Sequence, residues 1–251
     1  MKSPDRPTDL DINRTGIFLS PLDGPATVEA ARQSRPTSPG TEQELAELRR
    51  QFAEEAHPIG HMPPPLAVRA VLQEFKGLIH GHRYGVLLDK LGERLAFERT
   101  GVRLFDALIV KLEAQDTWDG GPTLETLVEF RGDEANHFAL IHEVLVHLGA
   151  DPTVVTPSAD LVGVESLGLL QTIVDPRTTL AQSLHAQMIA ELVDAAGWDQ
   201  LCMLAGVVDQ QPLAAKFRAA HAQEVHHRDT VIAWLNRHAE LAALGELKYS
   251  A

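Results

Sequence analysis

Two stretches of the chain repeat one arrangement of a proline, a glutamate and a histidine, and this repeat restricts the fold more than any other feature of the sequence. In each copy the glutamate lies 12 residues after the proline and is followed at i+3 by the histidine. The copies comprise Pro122, Glu134 and His137, and Pro212, Glu224 and His227. Proline is favoured in the first turn of a helix, and residues three apart share a helix face. The repeat therefore predicts two equivalent helices, each presenting a glutamate and a histidine to one side.

From Leu87 onward, apolar residues recur at steps of three and four, the period of a helix that faces a core. This pattern predicts four core helices, labelled A to D in chain order. They cover, in order, about 87–112, 122–148, 178–207 and 212–241. The connection between B and C is much longer than the other two and includes a short helical pattern, VESLGLLQTIV. We therefore expect a long crossover between two helical hairpins.

One glutamate interrupts the apolar stripe of helix A, and another interrupts that of helix C. Glu98 lies 24 residues before the proline of its hairpin, Glu191 lies 21 residues before its own, and an aromatic residue follows each at i+7. At a rise of about 1.5 Å per residue, the acids of each hairpin should lie at similar heights. Four carboxylates that converge in an apolar interior need neutralisation, because burying one bare charge already costs several kcal/mol.

Four negative charges match two divalent cations, and histidine nitrogens suit iron, manganese or zinc better than calcium or magnesium. The sequence thus predicts a two-metal site inside the bundle. The predicted ligands are Glu98, Glu134, His137, Glu191, Glu224 and His227.

Two of the acidic residues leave alternatives open. Glu98 could instead pair with Arg94 or Arg103. Asp194, one turn after Glu191 and on the same face, is either an additional ligand or a residue that orients a ligating histidine from outside the site.

His221 shares a helix face with Glu224 and is a candidate third nitrogen ligand or supporting residue. Seven further histidines should lie at the surface, and the cysteine should be a small buried filler. These residues are His57, His61, His80, His82, His142, His147, His226 and Cys202.

Composition excludes several classes of protein. The formal net charge of −13 argues against a nucleic-acid partner, since phosphate binding needs a cationic surface. One cysteine cannot form an intrachain disulfide or a thiolate cluster. No apolar run is long enough to cross a membrane, and the first residues lack the apolar core of a signal peptide, so we expect a cytoplasmic protein.

The segments that flank the predicted bundle differ from it in composition. Residues 1–43 contain six prolines without a sustained period, which predicts an extended or disordered arm, either a flexible tail or a segment that wraps a partner subunit. Accessory helices are expected within 44–86, one over 43–55 and another over 66–83. The core domain is expected from residue 87 to 241, and a tail over 242–251.

The chain resembles the ferritin-like superfamily of dinuclear carboxylate proteins, in which two helices each give a glutamate and two others each give Glu-x-x-His. The matching segments are ERTGVRLF, GDEANHFALIHEVLVHLGADP, IAELVDAAGW and AQEVHHRD. The resemblance implies an all-α, ferritin-like four-helix bundle with a long B–C crossover. It is greatest to rubrerythrin-like and bacterial ferritin-like proteins, although the Cys-x-x-Cys pairs of a rubredoxin module are absent. Phe105 stands where members often carry a tyrosine, which excludes tyrosyl-radical chemistry at that position.

The resemblance implies two bound iron ions, with manganese or a mixed iron and manganese pair as alternatives. It leaves open whether the chain forms a homo-oligomer. An oxidase or peroxidase acting on O2 or peroxide is the first functional hypothesis. Iron storage with a ferroxidase step, a manganese catalase-like activity and a structural bundle without metal are the others. Storage would need a closed shell of subunits, and an organic oxygenase would need a pocket beside the metals.

Overall fold

The computed structural model describes residues 22–34, 40–62 and 84–247. These residues form helices joined by turns and loops, and no β-strand occurs among them, which confirms the predicted all-α class. The chain divides into two compact units, Met1–His57 and Pro58–Ala251. Within the described segments, no helix combines the length and the apolar character that crossing a lipid bilayer requires.

The first unit contains helix α1, Asp23–Gln33, and helix α2, Glu42–Glu55. The prediction of an extended or disordered arm is therefore wrong for Asp23–Gln33. The reason is local: Pro25 occupies the first turn, where proline is tolerated, and the alanine-rich stretch after it favours a helix. The other parts of the predicted arm, residues 1–21 and 35–39, lie outside the described residues.

Helix α2 confirms the short polar helix predicted over 43–55. Thr41 caps its first turn: the Thr41 hydroxyl accepts from the Glu44 backbone N–H, and the Glu44 carboxylate accepts from the Thr41 backbone N–H. No side chain of α2 is buried. The second accessory helix, expected over 66–83, lies outside the described residues.

The described part of the second unit, residues 58–62 and 84–247, contains four long helices, with two short helices in the crossover. The long helices correspond to the predicted helices A to D. In chain order the six are α3 (Tyr84–Ala114), α4 (Leu124–Leu148), α5 (Pro157–Glu165), α6 (Leu167–Val174), α7 (Leu180–Val207) and α8 (Gln211–Leu244). The last of them continues to Leu244, beyond the predicted end of the core domain at residue 241.

Helix ends show how the local sequence sets these boundaries. Gly149 ends α4 in the left-handed conformation, with a φ of 79°, which glycine adopts without strain. Pro212 lies in the first turn of α8, as the repeat predicts. The same prediction is wrong for Pro122, which precedes the first turn of α4. Thr123 lies between Pro122 and the first turn and caps the helix, because its hydroxyl accepts a hydrogen bond from a backbone N–H at the helix start.

The long helices pack side by side: α3 against α4 and α7, and α8 against α7 and α4. One end of α3 meets the far end of α7, where the Tyr84 hydroxyl donates to the Val208 carbonyl at 3.1 Å. At the other end, the Lys111 ammonium donates to the Asp175 and Thr178 carbonyls at 2.6 and 3.0 Å, just before α7 begins. Helices α3 and α7 are therefore antiparallel.

The predicted long crossover is present, and its helices pack on α3. It contains two short helices where the sequence indicates one. Asp89 of α3 accepts hydrogen bonds from the backbone N–H and the hydroxyl of Ser158, at 2.9 and 2.7 Å. These bonds fix the start of α5 against α3.

The apolar core between the long helices consists of two clusters. One includes Leu91, Ile141, Trp198 and Phe217. The other includes Phe105, Phe130, Leu184 and Val231. Along each long helix the buried glutamates and histidines come between members of the two clusters, so they form a polar layer between two apolar regions.

Candidate metal centre

The structure brings all six predicted ligand residues together in the core of the second unit. Helix α3 contributes Glu98 and helix α7 contributes Glu191, while α4 and α8 each contribute one Glu-x-x-His pair. Each of these side chains is almost completely inaccessible, since the most exposed of them, His137, is only 3% exposed. Their role as metal ligands stays a prediction.

Besides a group in which Asp194 joins Glu98, Glu134 and Glu224, the donor atoms of the six predicted ligands form two overlapping groups that share Glu224. One group contains Glu98, His137 and Glu224. The other contains Glu134, Glu191, Glu224 and His227. Within each group every residue offers one donor atom, and these atoms lie within 4.8 Å of one another. Two such groups with a common carboxylate are the arrangement expected of two ions with a bridging ligand.

The spacing of the donor atoms agrees with a coordination sphere. His227 Nδ1 lies 3.3 Å from Glu224 Oε2, 3.8 Å from Glu134 Oε1 and 3.9 Å from Glu191 Oε2. His137 Nδ1 lies 2.6 Å from Glu224 Oε1. Donor atoms about 2.1 Å from one ion are separated from each other by roughly 3 to 4 Å, so three of these four distances already suit a shared ion.

Both histidines turn Nδ1 toward the carboxylates because Nε2 is engaged on the other side of the ring. His227 Nε2 donates to Asp133 Oδ2 at 3.2 Å, and His137 Nε2 donates to the Gln223 amide oxygen at 3.1 Å. The Gln223 amide nitrogen donates in turn to Asp133 Oδ1 at 3.0 Å. A carboxylate only accepts, so this chain of bonds places the N–H of each neutral ring on Nε2 and leaves a lone pair on Nδ1.

Asp133 and Gln223 are functional candidates that the sequence analysis missed. Each directly precedes the glutamate of its Glu-x-x-His motif, and each supports the histidine of the other motif across the α4–α8 contact. The repeat carried a signal for them, because both copies have a hydrogen-bonding residue at this position. Supporting a predicted ligand histidine is one of the two roles predicted for Asp194, but the hydrogen bonds to His137 and His227 come from Gln223 and Asp133 instead.

Many donor atoms of the centre have no hydrogen-bond partner among the described residues. They are both oxygens of Glu98 and Glu224, one oxygen each of Glu134 and Glu191, and Nδ1 of both histidines. Buried polar atoms are nearly always paired, because leaving one unpaired costs about 1 to 3 kcal/mol. Lone pairs of neutral imidazoles that face carboxylates need a proton or a metal ion between them, so these residues fit a metal centre.

Two further residues adapt the helices to this cluster. The Gln187 amide, one turn before Glu191 on α7, donates to Glu191 Oε1 at 2.6 Å. Gly101 of α3 faces the Glu134 carboxylate, and a Cβ at Gly101 would overlap Glu134 Oε2. The missing side chain at Gly101 therefore makes room for a predicted ligand.

Arg94 is a buried cation beside the cluster, and it contacts two acidic side chains. Its Nη1 donates to Asp194 Oδ1 at 2.7 Å and to the Asp194 carbonyl at 3.0 Å. Its Nε lies 3.4 Å from Glu98 Oε1. Arg103, the other partner considered for Glu98, is exposed. Glu98 thus contacts both Arg94 and the predicted ligand His137, and Asp194 forms an ion pair with Arg94.

The pKa values show how the cluster is neutralised when protons are its only cations. Burial raises the pKa of Glu134, and it raises that of Glu191 to about 8, with the Glu224 carboxylate adding to both effects. Burial disfavours the charged forms of Glu224 and His137 as well, but their mutual contact outweighs it. The pKa of Glu224 falls to about 2, and that of His137 rises to about 11. Metal ions would therefore displace protons from this site.

Aromatic rings enclose both histidines. The Phe130 ring centroid lies 4.0 Å from that of His227, and the Phe105 ring meets His227 edge-on at 6.2 Å. The Trp198 ring meets His137 edge-on at 5.2 Å. Phe105 and Trp198 are the two aromatic residues at i+7 from the predicted ligands of α3 and α7. They seal the polar layer against the apolar regions on either side.

His221 is half-buried and belongs to none of the donor groups found among the described residues, so nothing supports the role predicted for it. Seven histidines are predicted to lie at the surface, and this is confirmed for the five that the structure describes. These are His57, His61, His142, His147 and His226. His80 and His82 lie outside the described residues. Cys202 is half-buried and packs against an apolar cluster, so the buried-filler prediction holds only in part.

A cavity of about 640 Å³ lies between α3, α4 and the crossover. Leu95, Arg99, Phe138 and His142 are among the residues that line it. None of the six predicted ligands lines this cavity, although Arg99 and Phe138 each follow a predicted ligand in the chain. An organic substrate held there would thus lie beside the backbone of α3 and α4 rather than against the predicted ligands.

Comparison of the chain with protein-family models, with curated proteins and with solved structures finds no match. The function of the site is therefore inferred from its geometry and chemistry.

Proposed function

We propose that the chain is a dinuclear metal protein of the ferritin-like type, and that it binds two ions between its four long helices. The observation that carries this proposal is the orientation of the two histidines. In the neutral ring each directs the lone pair of Nδ1 at carboxylate oxygens, because its Nε2 N–H is held by Asp133 or by Gln223. A cation between these acceptors removes their mutual repulsion.

The two donor groups suggest how the ligands divide between the ions. Glu98 and His137 would bind one ion, and Glu191 and His227 would bind the other. Glu224 belongs to both groups and would bridge the two ions. Glu134 lies in the second group and also approaches Glu98, so it is the second candidate for a bridging position.

The donor set favours iron or manganese as the resident metal. Imidazole nitrogen with several carboxylates suits these ions, whereas calcium and magnesium prefer all-oxygen surroundings. We therefore propose two iron ions, with manganese or a mixed pair as the alternative. When bound, two adjacent iron ions would supply the electrons for reduction of O2 or peroxide.

The protein's own residues would exclude water from the metal centre and hold its ligands in place. Phe105, Phe130 and Trp198 surround the histidine rings and exclude water, which strengthens every electrostatic interaction inside the site. The Asp133–Gln223 bridge would hold both rings in one tautomer. We therefore propose an oxidase or peroxidase type of activity with O2 or peroxide as substrate.

Oxygen uptake by the iron-loaded protein tests this function. The metal-free protein is loaded with Fe(II) without oxygen, O2 is admitted, and its consumption is followed with an electrode. Glu224→Gln should abolish the uptake, because it removes the shared carboxylate. Glu165→Gln, which changes an exposed glutamate of α5, is the matched control and should not. No uptake by the loaded protein, or equal uptake by Glu224→Gln, would contradict the proposal.

Two further experiments distinguish the other candidate functions. Loading with Mn(II) and adding hydrogen peroxide would release O2 if the activity is catalase-like. Mass in solution, measured by light scattering, would reveal a closed shell of many chains if the protein stores iron.

A further inference from the structure

Arg94 is held in one position by contacts on several sides. Its guanidinium donates to the side chain and to the backbone of Asp194, and its Nε faces Glu98. The guanidinium carbon lies 4.4 Å from the centre of the Phe97 ring. Gly197 of α7 lies so close that a Cβ there would overlap Arg94 Nη1. Arg94 is only 1% exposed, so its charge is balanced by these neighbours rather than by water.

The charges around the cluster show what Arg94 contributes. Among the described residues five carboxylate side chains are buried, the four predicted glutamate ligands and Asp194. Arg94 is the only lysine or arginine of residues 84–247 within 4.0 Å of any of them. Its positive charge offsets one of the five negative charges. The remaining four match two divalent ions.

Asp194 is close enough to the centre to be a ligand. One of its oxygens lies within 4.8 Å of donor atoms of Glu98, Glu134 and Glu224. Asp194 Oδ1, however, accepts a charge-assisted hydrogen bond from Arg94 at 2.7 Å. Such a bond is roughly twice as strong as a neutral one, and an ion bound to this oxygen would lie beside a fixed positive charge.

We propose that Arg94 is a positioning residue that keeps Asp194 out of the metal coordination sphere and thereby limits the centre to two divalent ions. The inference rests on the proposed dinuclear centre and deepens it. Arg94 and Asp194 act as one unit: Asp194 draws the guanidinium away from Glu98, and Glu98 is then free to bind an ion. Without Asp194, Arg94 would pair with Glu98 and compete with the metal.

A double-mutant cycle distinguishes this role from direct ligation by Asp194. Asp194→Asn should weaken metal binding by about 10- to 100-fold, the range measured for residues that orient metal ligands. Adding Arg94→Met should restore the affinity to within about threefold of the unmutated chain, because the charge that competes for Glu98 is removed. The Kd is measured by titrating the metal-free protein with Mn(II) or Co(II), and bound metal per chain by elemental analysis.

An exposed ion pair between α3 and α4 supplies the matched control. Arg131 Nη1 and Asp106 Oδ1 are 2.9 Å apart, and among the described residues neither forms a hydrogen bond or an ion pair with a predicted ligand. Arg131→Met with Asp106→Asn should leave the Kd within about twofold, since exposed pairs contribute about 0 to 1 kcal/mol.

Two results would overturn the proposal. If the double variant binds metal as weakly as Asp194→Asn, Asp194 is itself a ligand. If Asp194→Asn binds as tightly as the unmutated chain, Arg94 does not compete for Glu98. Should the unmutated chain bind no metal, the proposed function fails, but the pair remains testable. Urea unfolding of the metal-free variants should then show that the double variant is more stable than Arg94→Met alone, because Arg94→Met leaves Asp194 buried and unpaired.

Discussion

Replacing Gly101 by alanine would place a methyl group where the Glu134 carboxylate lies. The added Cβ would be 2.7 Å from Glu134 Cδ and closer still to Glu134 Oε2. Carbon atoms in contact are about 3.5 to 4.0 Å apart, so the carboxylate would have to move by roughly 1 Å. Glu134 Oε1 lies 3.8 Å from His227 Nδ1, and a displacement of that size would disrupt a shared coordination sphere.

Two opposing effects set the expected stability of Gly101→Ala. Alanine in a helix interior is favoured over glycine by about 1 kcal/mol. Overpacking a buried site costs typically 1 to 3 kcal/mol, so the metal-free variant should be unchanged or up to about 2 kcal/mol less stable in urea unfolding. Metal affinity should fall by about 10- to 100-fold, since Glu134 is forced out of place.

Gly132→Ala is the matched control because Gly132 also lies within a long helix, but a Cβ there meets no other atom within 4 Å. This variant should gain about 0.5 to 1 kcal/mol of stability and keep its metal affinity. If Gly101→Ala shows the same gain and the same affinity, the carboxylate of Glu134 does not occupy the space beside Gly101. The description of the centre would then be wrong on that side.

Two other properties of the centre can be checked. Asp133→Asn should weaken metal binding by about 10- to 100-fold, because Asp133 accepts from Gln223 with one oxygen and from His227 with the other, and an asparagine amide replaces one of these acceptors by a donor. An unchanged Kd in a Co(II) titration would contradict the role of Asp133. Without metal, the unfolding free energy should fall as the pH rises from about 5 to 8: burial raises the pKa values of Glu134 and Glu191, so the folded chain binds protons that the unfolded chain releases. Each such proton lowers stability by about 1.4 kcal/mol per pH unit, and urea titrations that show constant or rising stability over this range would refute it.

The arrangement of the candidate site was predictable where it depends on features local to one helix. The apolar stripes place the Glu-x-x-His pairs of α4 and α8 on the core-facing side, and the structure brings them together with Glu98 and Glu191. The apolar stripe predicts these positions because burial of apolar surface fixes the rotation of each helix about its axis. A glutamate at a stripe position then faces the core as well.

Contacts between distant segments were not predictable in this way. Arg94 and Asp194 are 100 residues apart, and Asp133 and His227 are 94 apart. Their pairing depends on how two helices are rotated and aligned against each other, which the period of a single helix does not contain. From the sequence, Arg94 is therefore predicted only as an alternative ion-pair partner of Glu98. The helix at Asp23–Gln33 was missed for a different reason, because flanking prolines were given more weight than the alanine-rich stretch between them.

Metal content measured by elemental analysis tests the central claim most directly. The chain is purified with iron or manganese supplied, and bound metal is quantified for the unmutated protein and for the Glu134→Ala and His227→Ala variants. The structure leads us to expect two equivalents of metal per chain and a clear loss in both variants. Less than one equivalent in the unmutated protein, or no loss in either variant, would contradict the existence of a dinuclear centre.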